Sequence, residues 1–231
     1  MDGAVSLHAL PDAVRAARMT TDDLRASFLV QGLFESGTIN LRRIDLDRVV
    51  LGGAVPTGAP LTLEAPADLL ATSFCERREL GVLNIGGTGT ISVDGTAYAL
   101  GHRDLVYVSR GSRDVVFASD DAVNPARFYL VSYPAHAEHP TTLVTMPAHT
   151  HDRRTEIYLY FDVAEDAVVF HQMGEPTETR HLIVRDGEAV LSPGWSIHAG
   201  CGTSSYAFCW AMGGENQDYA DMQVAHATSL R

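Results

Sequence analysis

Cysteine is scarce in this chain: three residues among 231, Cys75, Cys201 and Cys209. They form no Cys-x-x-Cys pair, and their odd number argues against a disulfide framework. Buried small hydrophobes are their ordinary role, and a cytoplasmic setting is the expectation. Long apolar runs are missing too. None approaches the ~20 residues that a membrane helix needs. The first nineteen residues hold no basic stretch leading into a long apolar one, so a secretory leader is not expected. Basic residues are in deficit, with 17 Lys and Arg against 29 Asp and Glu and a formal charge of −12. Such a surface repels nucleic acid and anionic membranes, and neither is expected as a partner. It also gives no long-range steering toward an acidic substrate, which local arginines would have to capture.

What is present suits a folded β protein. Hydrophobic residues make up 45% and charged residues 20%, enough for a sizeable core. Residues 12–36 form the one clear helical region, with Thr20 or Thr21 as the cap and acidic residues in the first turn. Beyond it, short runs rich in Val, Ile, Leu, Tyr and Phe are separated by Gly, Pro, Asp or Asn. Asp94-Gly95 and Asp186-Gly187 are strong turn signals between alternating runs. Many short strands at even spacing predict an all-β architecture of antiparallel jelly-roll barrels. The pattern occurs twice, over 89–108 and again over 181–198, as a hairpin, a turn and a strand. Two tandem barrels are expected, 1–136 and 137–231. The linker-like Pro134–Thr142 stretch falls between them.

The most informative string is Pro147-Ala-His149-Thr-His151-Asp-Arg-Arg-Thr-Glu156. Residues two apart on a strand share a face, so His149 and His151 can aim at one point. Glu156 has the wrong parity for the same strand. A turn at Asp152–Thr155 would place it on the returning strand, facing the same centre. A fourth group comes from Gly187-x5-Pro193-x4-His198: turn, strand, proline-bounded turn, histidine. Three imidazoles and one carboxylate can hold Zn²⁺, Mn²⁺, Fe²⁺ or Ni²⁺ while leaving positions open for substrate. A lone His-x-His would carry little weight, but the full set matches the two motifs of the cupin fold. Trp195 stands where a glycine is usual. The corresponding stretch of the first half, Cys75-Glu-Arg-Arg-Glu-Leu80, has no histidine pair. A supporting barrel without a metal site, with a role in oligomer contacts, is expected there.

The chain resembles the 5-dehydro-4-deoxy-D-glucuronate isomerase family, also called 5-keto-4-deoxyuronate isomerases. The resemblance rests on Ile44-Asp-Leu-Asp-Arg-Val-Val-Leu-Gly-Gly, Glu76-Arg-Arg-Glu-Leu-Gly-Val-Leu-Asn-Ile-Gly-Gly and Gly101-His-Arg-Asp. It continues through Thr145-Met-Pro-Ala-His-Thr-His-Asp-Arg-Arg-Thr-Glu, Met173-Gly-Glu-Pro-Thr-Glu-Thr-Arg-His, Trp195-Ser-Ile-His-Ala-Gly-Cys-Gly-Thr and Met212-Gly-Gly-Glu-Asn-Gln-Asp. These strings span nearly the whole chain. The resemblance implies a two-barrel cupin with one zinc on His149, His151, Glu156 and His198, and a homohexamer. It implies an aldose–ketose isomerisation of pectin breakdown, from 5-dehydro-4-deoxy-D-glucuronate to 3-deoxy-D-glycero-2,5-hexodiulosonate. Family members are longer by roughly forty to fifty residues. The shortfall is expected near Thr142–Leu143 and would take the first strands of the second barrel. A chain break is expected there, with the two Cα atoms more than ~4 Å apart.

Such a reaction needs a base beside a carbonyl and an electrophile for the enediolate, a task that suits an open metal position. With Glu156 committed to the metal, Glu178, His181, Glu215 and a metal-bound hydroxide are the candidate bases. Tyr158 or Tyr160 could donate a hydrogen bond to a substrate oxygen. Arg153, Arg154 and Arg180 are candidates for bidentate capture of the substrate carboxylate, with surface ion pairs as the ordinary alternative. Trp195 is a candidate pocket wall or a core tryptophan. His171 reads as a barrel or pocket histidine. Three other functions compete: the 5-deoxy-glucuronate isomerase of inositol breakdown, an iron-cupin dioxygenase using the same ligands, and a non-catalytic sugar-binding cupin.

Overall fold

The computed structural model describes residues 7–144 and 155–214. Among them strands predominate. In chain order the first ten are β1 (Leu7–His8), β2 (Leu29–Val30), β3 (Ile39–Ile44), β4 (Val50–Ala54), β5 (Leu61–Thr62), β6 (Arg78–Asn84), β7 (Gly89–Val93), β8 (Thr96–Leu100), β9 (Leu105–Val108) and β10 (Val115–Ser119). They are followed by β11 (Phe128–Pro134), β12 (Thr142–Val144), β13 (Thr155–Phe161), β14 (Val169–Glu175), β15 (Glu178–Val184), β16 (Glu188–Pro193), β17 (Ala199–Gly202) and β18 (Ala207–Gly213). Two helices, α1 (Ala13–Ala16) and α2 (Thr21–Phe28), lie near the N-terminus. The expected all-β architecture of two tandem antiparallel units is what the chain forms.

The first unit holds residues 7–8 and 32–144. A seven-stranded sheet runs in the order β1-β3-β4-β11-β6-β9-β12, and a four-stranded sheet runs β5-β10-β7-β8. The inward residues of both sheets, among them Leu80, Val82, Ile91, Phe117, Phe128 and Leu130, form one apolar core. The Asp94-Gly95 turn joins β7 to β8 as a hairpin, with Val93 opposite Thr96. Both turn residues have positive φ, 48° and 82°. That tight two-residue geometry favours Asp or Asn followed by Gly.

The second unit holds residues 9–31 and 155–214. Its sheets run β18-β13-β16-β2 and β15-β14-β17. A division at 136/137 puts the helical segment with the first barrel, but residues 9–31 pack into the second unit. Thr20 caps α2 in a capping box, its hydroxyl accepting from the Asp23 amide while the Asp23 carboxylate accepts from the Thr20 amide. This satisfies helix-start donors reciprocally. The helix ends at Phe28, well before residue 36. Leu29 and Val30 instead pair as β2 with Val190 and Ala189. Leu24 and Phe28 join Tyr160, Val169, Met173, Leu182 and Val190 in the unit's core.

Two further expectations change. Asp186-Gly187 does turn the chain, but not as a hairpin: β15 pairs with β14 while β16 pairs with β13. The turn carries the chain from one sheet to the other. Local turn chemistry specifies the bend, not the partner of the strand that follows. At Thr142–Leu143 there is no break. The two are consecutive residues of β12, paired with Tyr107 and Val106 of β9.

Candidate active site

Strand β13 builds the centre of the site. Its period of two puts Glu156, Tyr158 and Tyr160 on one face and Ile157, Leu159 and Phe161 on the other. The strand lies between β16 and β18, so both its edges are hydrogen-bonded. Glu156 is 6% exposed, although it carries a carboxylate. Directly opposite Glu156 on β16 stands Ser192. Past Pro193 the chain turns, and His198 sits just before β17. On β14, Val169, His171 and Met173 are the buried set, facing Val184, Leu182 and Arg180 of β15.

These elements bring Glu156 and His198 together, with carboxylate Oε2 and imidazole Nε2 3.3 Å apart. The other ring nitrogen of His198, Nδ1, is 3.3 Å from the Ser192 hydroxyl. That contact aims Nε2 at Glu156. The Tyr158 hydroxyl donates to the same Glu156 oxygen. Burial, and then the adjacent Glu156 charge, push the Tyr158 phenol far above its ordinary range, so it stays a neutral donor. One layer on, the Tyr160 hydroxyl lies 2.8 Å from His171 Nδ1. The Tyr158 ring stands between the two imidazoles, 5.4 Å from each centroid. Burial, with His198 nearby, pushes the pKa of His171 down to about 3, so its ring is neutral. Among the described residues its buried Nε2 has no hydrogen-bond partner. Gly200, opposite His171 on β17, leaves the room that the Tyr160 hydroxyl occupies. A Cβ there would lie 2.9 Å from that oxygen.

Glu156 and His198 suit a divalent metal. A tetrahedral ion with ligand bonds of about 2.0–2.1 Å separates its ligand atoms by about 3.3–3.4 Å. A carboxylate oxygen and an imidazole nitrogen at 3.3 Å meet that spacing. The Ser192 contact is the kind of outer support that ligating histidines have. The other two expected ligands, His149 and His151, lie outside the described residues, as do Arg153, Arg154 and Glu215. Among the described residues, no three His, Cys, Asp or Glu side chains gather at one point.

The remaining candidates fall elsewhere. Glu178, Arg180 and Trp195 meet around a cavity of about 270 Å³ that α1 and the β14–β15 hairpin share. Arg180 is already engaged there, donating to the Ala17 carbonyl and to Glu178 at 2.6 Å. Its guanidinium is thus tied to its own hairpin, and the Glu178 carboxylate is paired rather than free to act as a base. Trp195 walls this cavity and packs edge-on against Phe28 at 6.1 Å. His181 pairs with Gln172, one residue out of phase with His171, and lies exposed beside Phe170. Strand parity therefore turns this candidate base away from the Glu156 face. Sequence reasoning did not single out Ser192 or the Tyr160–His171 pair. The alternation of Glu156, Tyr158 and Tyr160 was the available signal for the tyrosines. Nothing in the sequence shows that β14 lies across from them.

Comparison with known proteins identifies the relatives of this chain. The model of the KduI/IolB family matches residues 44–146 and 144–228. A protein of Formosa agariphila named 4-deoxy-L-threo-5-hexosulose-uronate ketol-isomerase is 46% identical over 260 aligned residues, covering 91% of this chain and 93% of its own. One of the same name from Bacillus pumilus is 41% identical over 280 aligned residues that cover the whole of both chains. Against the 231 residues here, about fifty residues of that relative have no counterpart. The two family matches meet at 144–146. Among solved structures, an IolB-like protein of Salmonella typhimurium LT2 has the same fold, with a TM-score of 0.55 at 13% identity, covering 87% of this chain and 98% of its own. The chain belongs to the KduI/IolB family.

Proposed function

We propose that the protein is a ketol-isomerase of 4-deoxy-L-threo-5-hexosulose-uronate, converting it to 3-deoxy-D-glycero-2,5-hexodiulosonate in uronate catabolism. Identity of 40–46% to proteins of that name, over at least 91% of this chain, carries the reading. The Glu156–His198 pair supplies the chemistry it needs. The proposed cofactor is one zinc ion, held by His149, His151, Glu156 and His198. When bound, such an ion stabilises negative charge developing on a substrate oxygen.

The chain's own groups do the rest. Tyr158 fixes the Glu156 carboxylate by a hydrogen bond, and Ser192 fixes the His198 ring. With Glu178 paired to Arg180 and His181 turned outward, Glu215 remains as the proposed side-chain base. It follows by two residues Gly213, whose partner in the ladder is Thr155, next to Glu156. Arg153 and Arg154 immediately precede β13 and are the proposed partners of the substrate carboxylate.

The test is direct. Zinc-loaded protein is incubated with 4-deoxy-L-threo-5-hexosulose-uronate and, separately, with 5-deoxy-D-glucuronate. Conversion is followed by NMR. Turnover of the first and not the second is expected. Turnover of only the second would move the protein to the IolB side of its family, and turnover of neither with zinc bound would reject the isomerase reading.

A further inference from the structure

His171 is 0% exposed, yet one of its ring nitrogens has no partner among the described residues. An unmet buried N–H or lone pair costs about 1–3 kcal/mol. An aliphatic side chain at this position of β14 would avoid that cost and fill the same core. The other nitrogen, Nδ1, is held by the Tyr160 hydroxyl at 2.8 Å. A neutral phenol is a better donor than acceptor, so Tyr160 O–H donates to Nδ1 and the ring proton resides on Nε2. The two nitrogens of an imidazole point in diverging directions, so Nε2–H faces away from Tyr160. Tyr158 separates His171 from His198 and touches both, which places His171 on the same inner face as the Glu156–His198 pair. It does not form a three-ligand set with them. The arrangement is a neutral, fixed donor without a partner among the described residues, beside the proposed reaction centre.

We propose that His171 is a further catalytic residue: its Nε2–H donates a hydrogen bond to the substrate oxygen on which enediolate charge develops, and Tyr160 is the positioning residue that fixes this tautomer. This rests on the ketol-isomerase reading. The proton stays on Nε2 throughout, and the donor strengthens its bond as charge grows on the oxygen. Gly200 belongs to the same device, because any Cβ there would displace the Tyr160 hydroxyl.

Two measurements on the zinc-loaded full chain test it. Ring ¹⁵N NMR of labelled histidine is expected to show His171 as the Nε2–H tautomer, and Tyr160→Phe to mix the two tautomers. Addition of the substrate–product equilibrium mixture should shift the His171 Nε2–H resonance. In kinetics, His171→Leu should lower kcat about 100-fold, with zinc content unchanged and KM altered much less. His171→Gln, which can return an N–H near the same place, should recover about tenfold of that loss. A kcat for His171→Leu within threefold of wild type would overturn the proposal, as would a loss that only tracks lost zinc. An Nδ1–H tautomer in the wild type would overturn it independently of activity. Failure of the isomerase reading would look different: the wild type itself would not turn over, while the tautomer result would stand.

Discussion

The two units share a strand pattern and differ in what they bury. The first fills its interior with aliphatic and aromatic side chains, and two of the polar groups it buries, Arg78 and Asn84, are spent on the fold. Arg78 donates to the Ser132 hydroxyl and carbonyl and to the Arg48 carbonyl. Asn84 donates to the Gly87 and Leu100 carbonyls and accepts from the amides of Gly86 and Arg127. The second unit lines its inner face with Glu156, Tyr158, Tyr160, His171 and Ser192, and one buried nitrogen of His171 has no partner among the described residues. Satisfied polar groups specify a fold, whereas unsatisfied ones at a cluster of titratable groups mark a site. The same architecture thus carries a different inner lining in each half.

Substitutions can break or sharpen that contrast. The largest effect is expected for His198→Ala, which should abolish zinc binding and lower kcat/KM by more than ~1,000-fold. Denaturant unfolding of the zinc-free protein should barely change. Metal analysis alongside turnover checks this, and retained zinc with lost turnover would separate the two roles. Asn84→Ala should do the reverse. It removes four hydrogen bonds, one buried and three partly buried, and should cost about 3 kcal/mol in a denaturant melt, with zinc stoichiometry intact. If Asn84→Ala instead lowered kcat with no change in stability, the first unit would not be mere support. Gly200→Ala comes next. Its new Cβ would crowd the hydroxyls of Tyr160 and Tyr206, at 2.9 and 3.1 Å. A fall in kcat of about tenfold is expected, read by steady-state kinetics. Thr20→Ala is the smallest, about 1 kcal/mol of stability lost with the α2 cap. Activity should be unaffected.

The strand content, the Asp94-Gly95 hairpin and the Thr20 cap were legible because each is a local effect of side chains on their own backbone. So was the pairing of Glu156 with His198, since the spacing around Pro193 delivers a histidine from a second strand. The length of α2 was not legible: its apolar pattern runs on past Phe28, and pairing with β16 decided where it stops. The outward turn of His181 was equally hidden. From the sequence it is one residue of the Arg180-His181 string beside a motif, and only the register of β15 on β14 shows which face it takes. Arg180 looked like a carboxylate clamp until Ala17 and Glu178 were found on it.

Residue types and their spacing by themselves determined that this chain is all-β, that it repeats its pattern, and that the Glu156 carboxylate and the His198 imidazole meet beside β13. Those are consequences of short-range periodicity, which a strand imposes on any sequence. Only the tertiary structure decided which sheet each strand joins, that residues 9–31 complete the second unit, and that Tyr160 clasps His171. Such contacts join residues far apart in the chain, and they are set by the packing of whole faces rather than by any local preference.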